Sequence, residues 1–289
     1  MMNNYAICTD SGCDIKADLL AEWGVLYKSL TFRFDDSEKE YSNDDMDTAT
    51  FYAKMREGGV AKTAAVNTEA FTSLFEGVLA EGRDILYLGF SSGLSTTFNS
   101  ARLAANELRA KYPERKITVI DTLAASAGQG LLVFLAVDMQ RKGASLDETA
   151  QFIEDNKLCL AHWFTVDDLV YLKRGGRVSP TAAFVGNMLG IKPVLHVDDE
   201  GHLTPVSKVR GRKTSLRAMA DQYTESAKDP ENGLIYISHG DCLADAESLA
   251  AMIKEKHGAG VQIITDVGPV IGAHSGPGTL ALFFLAHKR

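Results

Sequence analysis

The segment Gly89-Phe90-Ser91-Ser92-Gly93 is a G-x-S-x-G pattern, and further hydroxyls follow at Ser95, Thr96 and Thr97. One hydrolase class exposes its nucleophile on such a strand-to-helix turn. Here that residue would be Ser91, and Asp121 with His239 or His274 follows in the chain order of a triad. The same loop suits an anion, because a helix start offers free backbone N–H groups beside the hydroxyls. A plain cap with Ser95 as N-cap fits it too. A second segment, Gly272-Ala273-His274-Ser275-Gly276-Pro277-Gly278, sets one histidine among three glycines and a proline. Glycine lets backbone approach a ligand and histidine can donate to an oxygen anion. A tight turn with a solvated histidine reads the same way. A third, Leu172-Lys173-Arg174-Gly175-Gly176-Arg177, could hold phosphate or carboxylate through arginine. It also reads as a helix C-terminus stopped by glycine.

Other signals are thinner. Asp10-Ser11-Gly12 ends the first strand, where open α/β sheets bind ligands, and is equally an ordinary strand-to-helix turn. Asp44-Asp45-Met46-Asp47 has no calcium-loop spacing and reads as the front of a helix. Neither G-x-x-x-x-G-K-[ST] nor G-x-G-x-x-G occurs, so a self-contained nucleotide site is not indicated.

These residues need a scaffold to bring them together. Tyr5-Ala6-Ile7-Cys8 reads as a strand, and Asp14 as the cap of a helix from Ile15 to about Trp23. Val25 to Phe34 is strand-like. Asn67 caps a helix with a 3.6-residue stripe through Phe71, Leu74, Phe75 and Val78. Ile85 to Leu88, a helix from about Ser95 to Arg109, Ile117 to Ile120 and the apolar helix Gly130 to Gln140 follow. Strand, helix, strand at this spacing predicts crossover units and a parallel sheet. After about Asn156 the texture changes. Leu158 to Thr165 reads as a strand and Pro180 as a first-turn proline. Pro193 to Val197 and Leu203 to Val209 flank Asp198-Asp199-Glu200-Gly201 as a hairpin. Leu234 to Ile237, the helix Leu243 to Lys256 and Val261 to Thr265 restore the alternation. The expectation is two α/β domains, the second containing an antiparallel pair.

Composition narrows the function. The 289 residues carry a net charge of −8, which argues against a coat for nucleic acid or anionic membrane. Four cysteines, Cys8, Cys13, Cys159 and Cys242, are too few for a disulfide framework, and no C-x-x-C is present. The N-terminus does not read as a signal peptide, and the longest apolar runs are below membrane-span length. A cytoplasmic protein is expected. Charge is uneven: Lys173 to Lys213 holds eight basic residues against three acidic ones, so this window is +5 and the remainder −13.

Together the segments resemble the DegV family of fatty-acid-binding proteins, which includes the B subunits of bacterial fatty acid kinase. The pieces that carry the likeness begin with Thr9 to Asp14, Ser91 to Ser95 and Asn99-Ser100-Ala101. Asp121-Thr122, Ala125-Ser126, Gly128-Gln129-Gly130 and Leu172 to Arg177 follow. Ile191-Lys192-Pro193, Lys208 to Gly211 and Gly272 to Gly278 complete the set, in order over nearly the whole chain. The resemblance implies a two-domain DegV-like α/β fold with a lipid tunnel between the domains. Residues 1–157 would be an N-terminal parallel-sheet domain with carboxylate-binding loops. Residues 158–289 would be a second α/β domain covering the acyl chain.

The same resemblance implies the roles. The family's carboxylate contacts map onto Thr63, Ser92 with the neighbouring Gly93 backbone, and His274, with Ser275 beside it. Arg174 maps onto a residue implicated in phosphoryl transfer by a partner kinase. The protein would be a carrier, not an enzyme, with no cofactor and no metal. Its ligand would be a long-chain fatty acid and its partner a kinase subunit that makes acyl phosphate for phospholipid synthesis. No nucleic acid and no stable membrane insertion are implied. One departure stands out: the family usually has Thr-Ser-Gln-Pro-Ser where this chain has Thr63-Ala64-Ala65-Val66-Asn67. The head-group network loses a hydroxyl and an amide there.

Physical chemistry is compatible with that reading. Burying a tail of about fourteen methylenes offers roughly 11 kcal/mol gross, while an unpaired buried carboxylate costs several kcal/mol. Several donors must therefore converge on one point. Phe184, Val185, Met188, Leu189 and Ile191 supply apolar surface, for the tail or for the core. A serine hydrolase remains the alternative. It needs Ser91 as nucleophile with a histidine base in reach, whereas binding needs Ser92 and Thr63 as donors. The +5 window would face the phosphate-handling partner.

Overall fold

The computed structural model describes residues 4–178 and 190–289. Its first part runs β1 (Tyr5–Asp10), α1 (Ala17–Trp23), β2 (Leu26–Lys28), β3 (Thr31–Phe34), β4 (Tyr41–Ser42), α2 (Thr48–Arg56) and β5 (Ala61–Ala64). It continues with α3 (Thr68–Ala80), β6 (Asp84–Gly89), α4 (Thr97–Lys111), β7 (Ile117–Asp121), α5 (Ala127–Arg141) and α6 (Leu146–Lys157). Then come β8 (Leu160–Thr165), α7 (Val170–Arg174), β9 (Ile191–Val197), β10 (Leu203–Arg210) and α8 (Arg212–Ser226). The last elements are β11 (Ile235–His239), α9 (Leu243–His257), β12 (Ile263–Asp266), α10 (Pro269–Ser275) and β13 (Leu280–Leu285).

Among the described residues the strands form three sheets. A parallel sheet has the order β2-β1-β6-β7. A mixed sheet has the order β10-β9-β8-β13-β11-β12, in which only β11 and β12 run parallel. A small antiparallel sheet has the order β4-β3-β5. Every residue of β1 is buried, as expected of a strand covered on both faces.

The layers follow from where the apolar faces go. On one side of the parallel sheet, Ala6, Ile85 and Tyr87 pack with Phe71 and Phe75 of α3 and Ala101 and Ala105 of α4. On its other side, Ile7, Leu86 and Leu88 share a core with Leu131, Leu132 and Val133 of α5. That same core includes Phe164, Tyr236 and Phe283 of the six-stranded sheet. So α5 is sandwiched between the two large sheets, which is why it is apolar all round. Beyond, Ile235, Ile237, Leu282 and Phe284 pack with Leu216 and Met219 of α8 and Leu249 of α9.

The α/β architecture with a parallel sheet and an antiparallel hairpin is as expected. The hairpin pairs Leu203 with Val197 through to Arg210 with Ile191, with a register shift between Pro205 and Ser207. A proline is tolerated there because β10 is an edge strand. Several expectations need correction. The second sheet is far more antiparallel than one pair. Val25 to Phe34 is not one strand: it breaks at Ser29-Leu30 so that β2 and β3 serve different sheets. Asp14 does not cap a helix start. It ends the short turn Ser11–Cys13 at φ 49°, and α1 begins at Ala17. Helix α4 starts at Thr97, with Ser95 Oγ accepting from Thr97 N at 3.2 Å. Asn67 caps α3 as expected, its Oδ1 accepting from Ala70 N at 2.8 Å. Asp47 does the same for α2, accepting from Thr50 N at 3.0 Å. Pro180, Phe184, Val185, Met188 and Leu189 lie outside the described residues. Among the described residues, no helix is long and apolar enough to cross a membrane.

Candidate functional site

Between the two large sheets lies a cavity of about 500 Å³, of a size that takes a small organic ligand. Its inner wall is one face of the six-stranded sheet, with Phe164, Val197, Ala281 and Phe283 on the lining. Its mouth is marked by exposed lining residues: Ala64 at the end of β5 and Ala65 after it, Ser92 and Thr96 before α4, and Gly176 after α7.

Thr63, Ser92, Gly93, His274 and Ser275 all line this cavity. Thr63 arrives on β5, fixed by antiparallel pairing with Phe32. The histidine arrives differently from the sequence expectation. Gly272 to Gly278 is not a free glycine loop: Pro269–Ser275 is a helix with proline at its start, stopped by Gly276 at φ 82°. His274 sits in its last turn and its Nε2 meets Thr63 Oγ1 at 2.8 Å. Burial, and secondarily the Arg177 guanidinium, lower the His274 pKa to about 4. The ring is therefore neutral at physiological pH, and the bond is made either by Nε2–H donating to Thr63 Oγ1, which leaves the Thr63 hydroxyl free to donate elsewhere, or by the Thr63 hydroxyl donating to Nε2. Ser275 Oγ is buried without a hydrogen-bond partner among the described residues, an arrangement that native proteins reserve for a reason.

Gly93 has two constraints. Its N–H donates to Ser91 Oγ at 3.2 Å, so this amide already has a partner. A Cβ on it would stand 2.9 Å from the Glu200 and Gly201 carbonyl oxygens. The hairpin between β9 and β10 thus closes over the Ser-Ser-Gly loop. Ser92 N donates to Asp121 Oδ1 at 3.2 Å, which pins the loop and leaves the exposed Ser92 hydroxyl facing the mouth.

The Gly-Gly segment divides its two arginines. Arg174 ends α7, is exposed, and lies over the Tyr171 ring at 5.7 Å from its centroid. It is not on the cavity wall. Arg177 is: it lines the cavity, and its Nε donates to the Leu94 carbonyl at 3.2 Å. Burial lowers its pKa. The guanidinium is a cation at the mouth, and its Nη1 also donates to the Gly175 carbonyl. The sequence marked both arginines of the segment as able to hold phosphate or carboxylate, and the family likeness singled out Arg174 for phosphoryl transfer; the structure puts Arg177, not Arg174, on the cavity wall. Glycine is needed before it, because a Cβ on Gly175 would fall 2.2 Å from His274 Nδ1.

The triad is not assembled. Ser91 is fully buried and its Oγ donates to the Gly201 carbonyl at 2.9 Å. Asp121 Oδ1 accepts from the amides of Ser92 and Leu123. His274 is held by Thr63, and His239 Nδ1 is 3.7 Å from the Asp266 carboxylate. The G-x-S-x-G pattern is a packing solution, in which Ser91 ties its loop to the hairpin.

Deeper in, Ser126 and Ser238 also line the cavity, their hydroxyls 2.9 Å apart. Asp14 sits behind them, buried, accepting from Ser126 Oγ and from Gly268 N. Burial raises its pKa to about 7, with smaller contributions from the Asp266 and Asp44 carboxylates. No group of three or more His, Cys, Asp or Glu among the described residues is arranged to hold a metal ion.

Comparison with known proteins agrees with this architecture. A family model described as "Uncharacterised protein, DegV family" matches residues 4–287. A DegV domain-containing protein of Clostridium perfringens is 43% identical over 289 residues, covering 100% of this chain and 99% of that one. A DegV family protein from Thermus thermophilus, described by its fatty acid binding, superposes with a TM-score of 0.88. It is 28% identical and the match covers 98% of this chain and 99% of the other. DegV from Bacillus subtilis, a fatty acid binding protein, superposes with a TM-score of 0.84 at 26% identity, again over 98% and 99%.

Proposed function

The chain belongs to the DegV family, and from that premise we propose that it binds a long-chain fatty acid in the cavity between its two large sheets. The observation that carries the proposal is the cavity's polarity: an apolar interior behind a mouth where hydroxyls, a neutral histidine and an arginine converge. The carboxylate lies at Thr63, Ser92, His274 and Ser275, close to the Gly93 turn. Thr63 and His274 already bond each other, so one of them turns its hydrogen to the ligand. Arg177 offsets the charge, which an uncharged donor set alone would do poorly. Ala64 and Ala65, exposed at the mouth, make the rim more apolar than the family pattern, so the charge is carried by fewer donors. Related proteins that bind fatty acids, such as those from Thermus thermophilus and Bacillus subtilis, support the ligand class.

The protein presents the carboxylate to a partner kinase, which makes the acyl phosphate; it performs no covalent step itself. Exposed Lys173 and Arg174 stand next to the mouth without lining it, the position for contacting a partner's phosphate. A cytoplasmic location goes with that partnership. The chain divides near residue 157 into 1–157 and 158–289, since the parallel and three-stranded sheets come from the first part and the six-stranded sheet from the second.

Denaturing extraction of the purified protein followed by mass spectrometry tests the ligand. A long-chain acid near one per chain is expected; none after purification and none taken up on incubation sinks the proposal. Arg174→Ala tests the partnership: acid binding persists and acyl phosphate formation with the kinase is lost.

A further inference from the structure

The inner wall of the cavity is not uniformly apolar. Strand pairing places Ser238 opposite Ala281, Ala281 opposite Phe164 and Phe283 opposite His162. Directly opposed residues share a face of the sheet, and all five line the cavity. Ser238 is thus a hydroxyl set in an aliphatic and aromatic floor, and it is fully buried. A hydroxyl in such a place is unfavourable unless bonded.

Its bond within the protein is to Ser126 Oγ at 2.9 Å, and Ser126 Oγ donates to Asp14 Oδ2 at 2.5 Å. A hydroxyl has one proton to give. With Asp14 ionised, Ser126 spends its proton on the carboxylate, so Ser238 donates to Ser126. Ser238, which lines the cavity, is left with acceptor capacity on its Oγ that no described residue uses. The relay is held in place with effort: Ser126 adopts φ 55°, a left-handed backbone that a residue other than glycine keeps only when its surroundings enforce it. His162 is on the same floor, but its unpartnered Nε2 is packed against Gly128.

Position matters as well. Asp14 also accepts from Gly268 N, just before α10 begins, whereas His274 lies in its last turn. Six residues of helix separate the two polar points by about 9 Å. Ser238 connects through Ser126 and Asp14 to the start of this helix, so an acyl chain with its carboxylate at His274 has to run inward before it reaches that hydroxyl.

We propose that Ser238, backed by Ser126 and Asp14, is a subsite for a hydroxyl group carried along the acyl chain, making hydroxylated long-chain acids ligands of this cavity. The proposal rests on the fatty-acid reading above. A ligand hydroxyl donates to Ser238 Oγ. An oxo group can only accept, and finds no donor there while Asp14 is ionised.

The test is a titration of the delipidated full-length protein at about pH 8, above the Asp14 value. The probes are octadecanoic acid, monohydroxylated octadecanoic acids with the hydroxyl moved along the chain, and the matching oxo acids. At least one hydroxylated acid should bind as tightly as octadecanoic acid or tighter, and its oxo analogue about tenfold more weakly. In Ser238→Ala the ratio of hydroxylated to plain affinity should fall about tenfold. If every hydroxylated acid is weaker than octadecanoic acid in the wild type, or Ser238→Ala leaves the ratio unmoved, the subsite is refuted. The wild-type comparison stands even if the variant does not fold. Binding of no acid at all refutes the fatty-acid reading itself; binding of octadecanoic acid without its hydroxylated forms refutes the subsite alone.

Discussion

The two ends of α10 handle a carboxylate in opposite ways. At its start, Gly268 N–H and the Ser126 hydroxyl point at the carboxylate of Asp14, which the chain itself provides and buries. At its finish, Thr63 and His274 are bonded to each other, and they line the cavity together with Arg177 and Ser275, whose hydroxyl has no partner among the described residues. The first arrangement is closed and contributes to holding the sheets around α5. The second is open to the mouth, where Ser92 and Gly176 are exposed. The same chemistry is architecture where the anion is built in, and, on the proposed function, a binding site where it must arrive from outside.

The largest expected effect comes from the closed end. Asp14 has its pKa raised to about 7 by burial, against an ordinary value near 3.9. Between those values the folded chain keeps a proton that the unfolded chain has released. Folding therefore binds protons, and stability is lost as pH rises from about 4 through about 7, by about 4 kcal/mol. His274 has its pKa lowered to about 4, so there the unfolded state holds the extra proton below pH ~6.5 and stability rises with pH. The two ends of one helix thus respond with opposite signs. Asp14→Asn keeps an acceptor for Gly268 N and removes the titration. Urea unfolding across this range, wild type minus Asp14→Asn, should give a curve that falls with pH; a flat or rising difference breaks the contrast.

At the open end the effects should appear in affinity. His274→Ala breaks up the Thr63–His274 pair proposed to donate to the ligand carboxylate and should weaken acyl binding ten- to a hundredfold, about 1.5–3 kcal/mol, while unfolding changes little. Unchanged affinity in a calorimetric titration would take His274 out of the site. Gly175→Ala acts at one remove. The added methyl would meet His274 Nδ1 at 2.2 Å, so the ring must shift away from Thr63. An affinity loss of about tenfold is expected, with Arg174 and Arg177 untouched. If His274→Ala and Gly175→Ala combined lose no more than His274→Ala alone, the glycine acts through the histidine.

What could be read in the sequence follows the same division. Apolar periodicity locates strands and helices well where one face or all faces are buried: β1, α3 and α5 lie close to where their apolar residues put them. The cap Asn67 is local and was legible, as was the acidic run ending at Asp47 as the front of a helix. Asp14 was not, because its partners Ser126 and Gly268 are remote in sequence and only the fold brings them together. The three-stranded sheet was hidden because β4 and β5 are short and largely uncovered. Within the site, Thr63, Ser92 and His274 came from the family likeness, and no spacing rule links residues so far apart. Which of Arg174 and Arg177 lines the cavity was not legible, because the direction of a side chain after Gly175-Gly176 depends on the backbone bend those glycines make, with Gly176 at φ 70°.

The smallest effect tests whether neighbours in one motif really belong to different classes. Ser91 and Ser92 are both serines of G-x-S-x-G, yet Ser91 is sealed under the hairpin and Ser92 stands at the mouth. Ser91→Ala removes the bond to the Gly201 carbonyl and leaves that acceptor and Gly93 N–H without it. The expected cost is about 1–2 kcal/mol of stability, read in urea unfolding, with acyl affinity close to wild type. Ser92→Ala should do the reverse: near-wild-type unfolding and a few-fold loss of acyl affinity, as for one exposed neutral donor. The hydrolase pattern predicts neither result, since it requires the buried serine to react. A serine whose hydroxyl is committed to a carbonyl 2.9 Å away, with no histidine bonded to it, is a tie between two loops, and its removal should be felt by the fold before it is felt by the ligand.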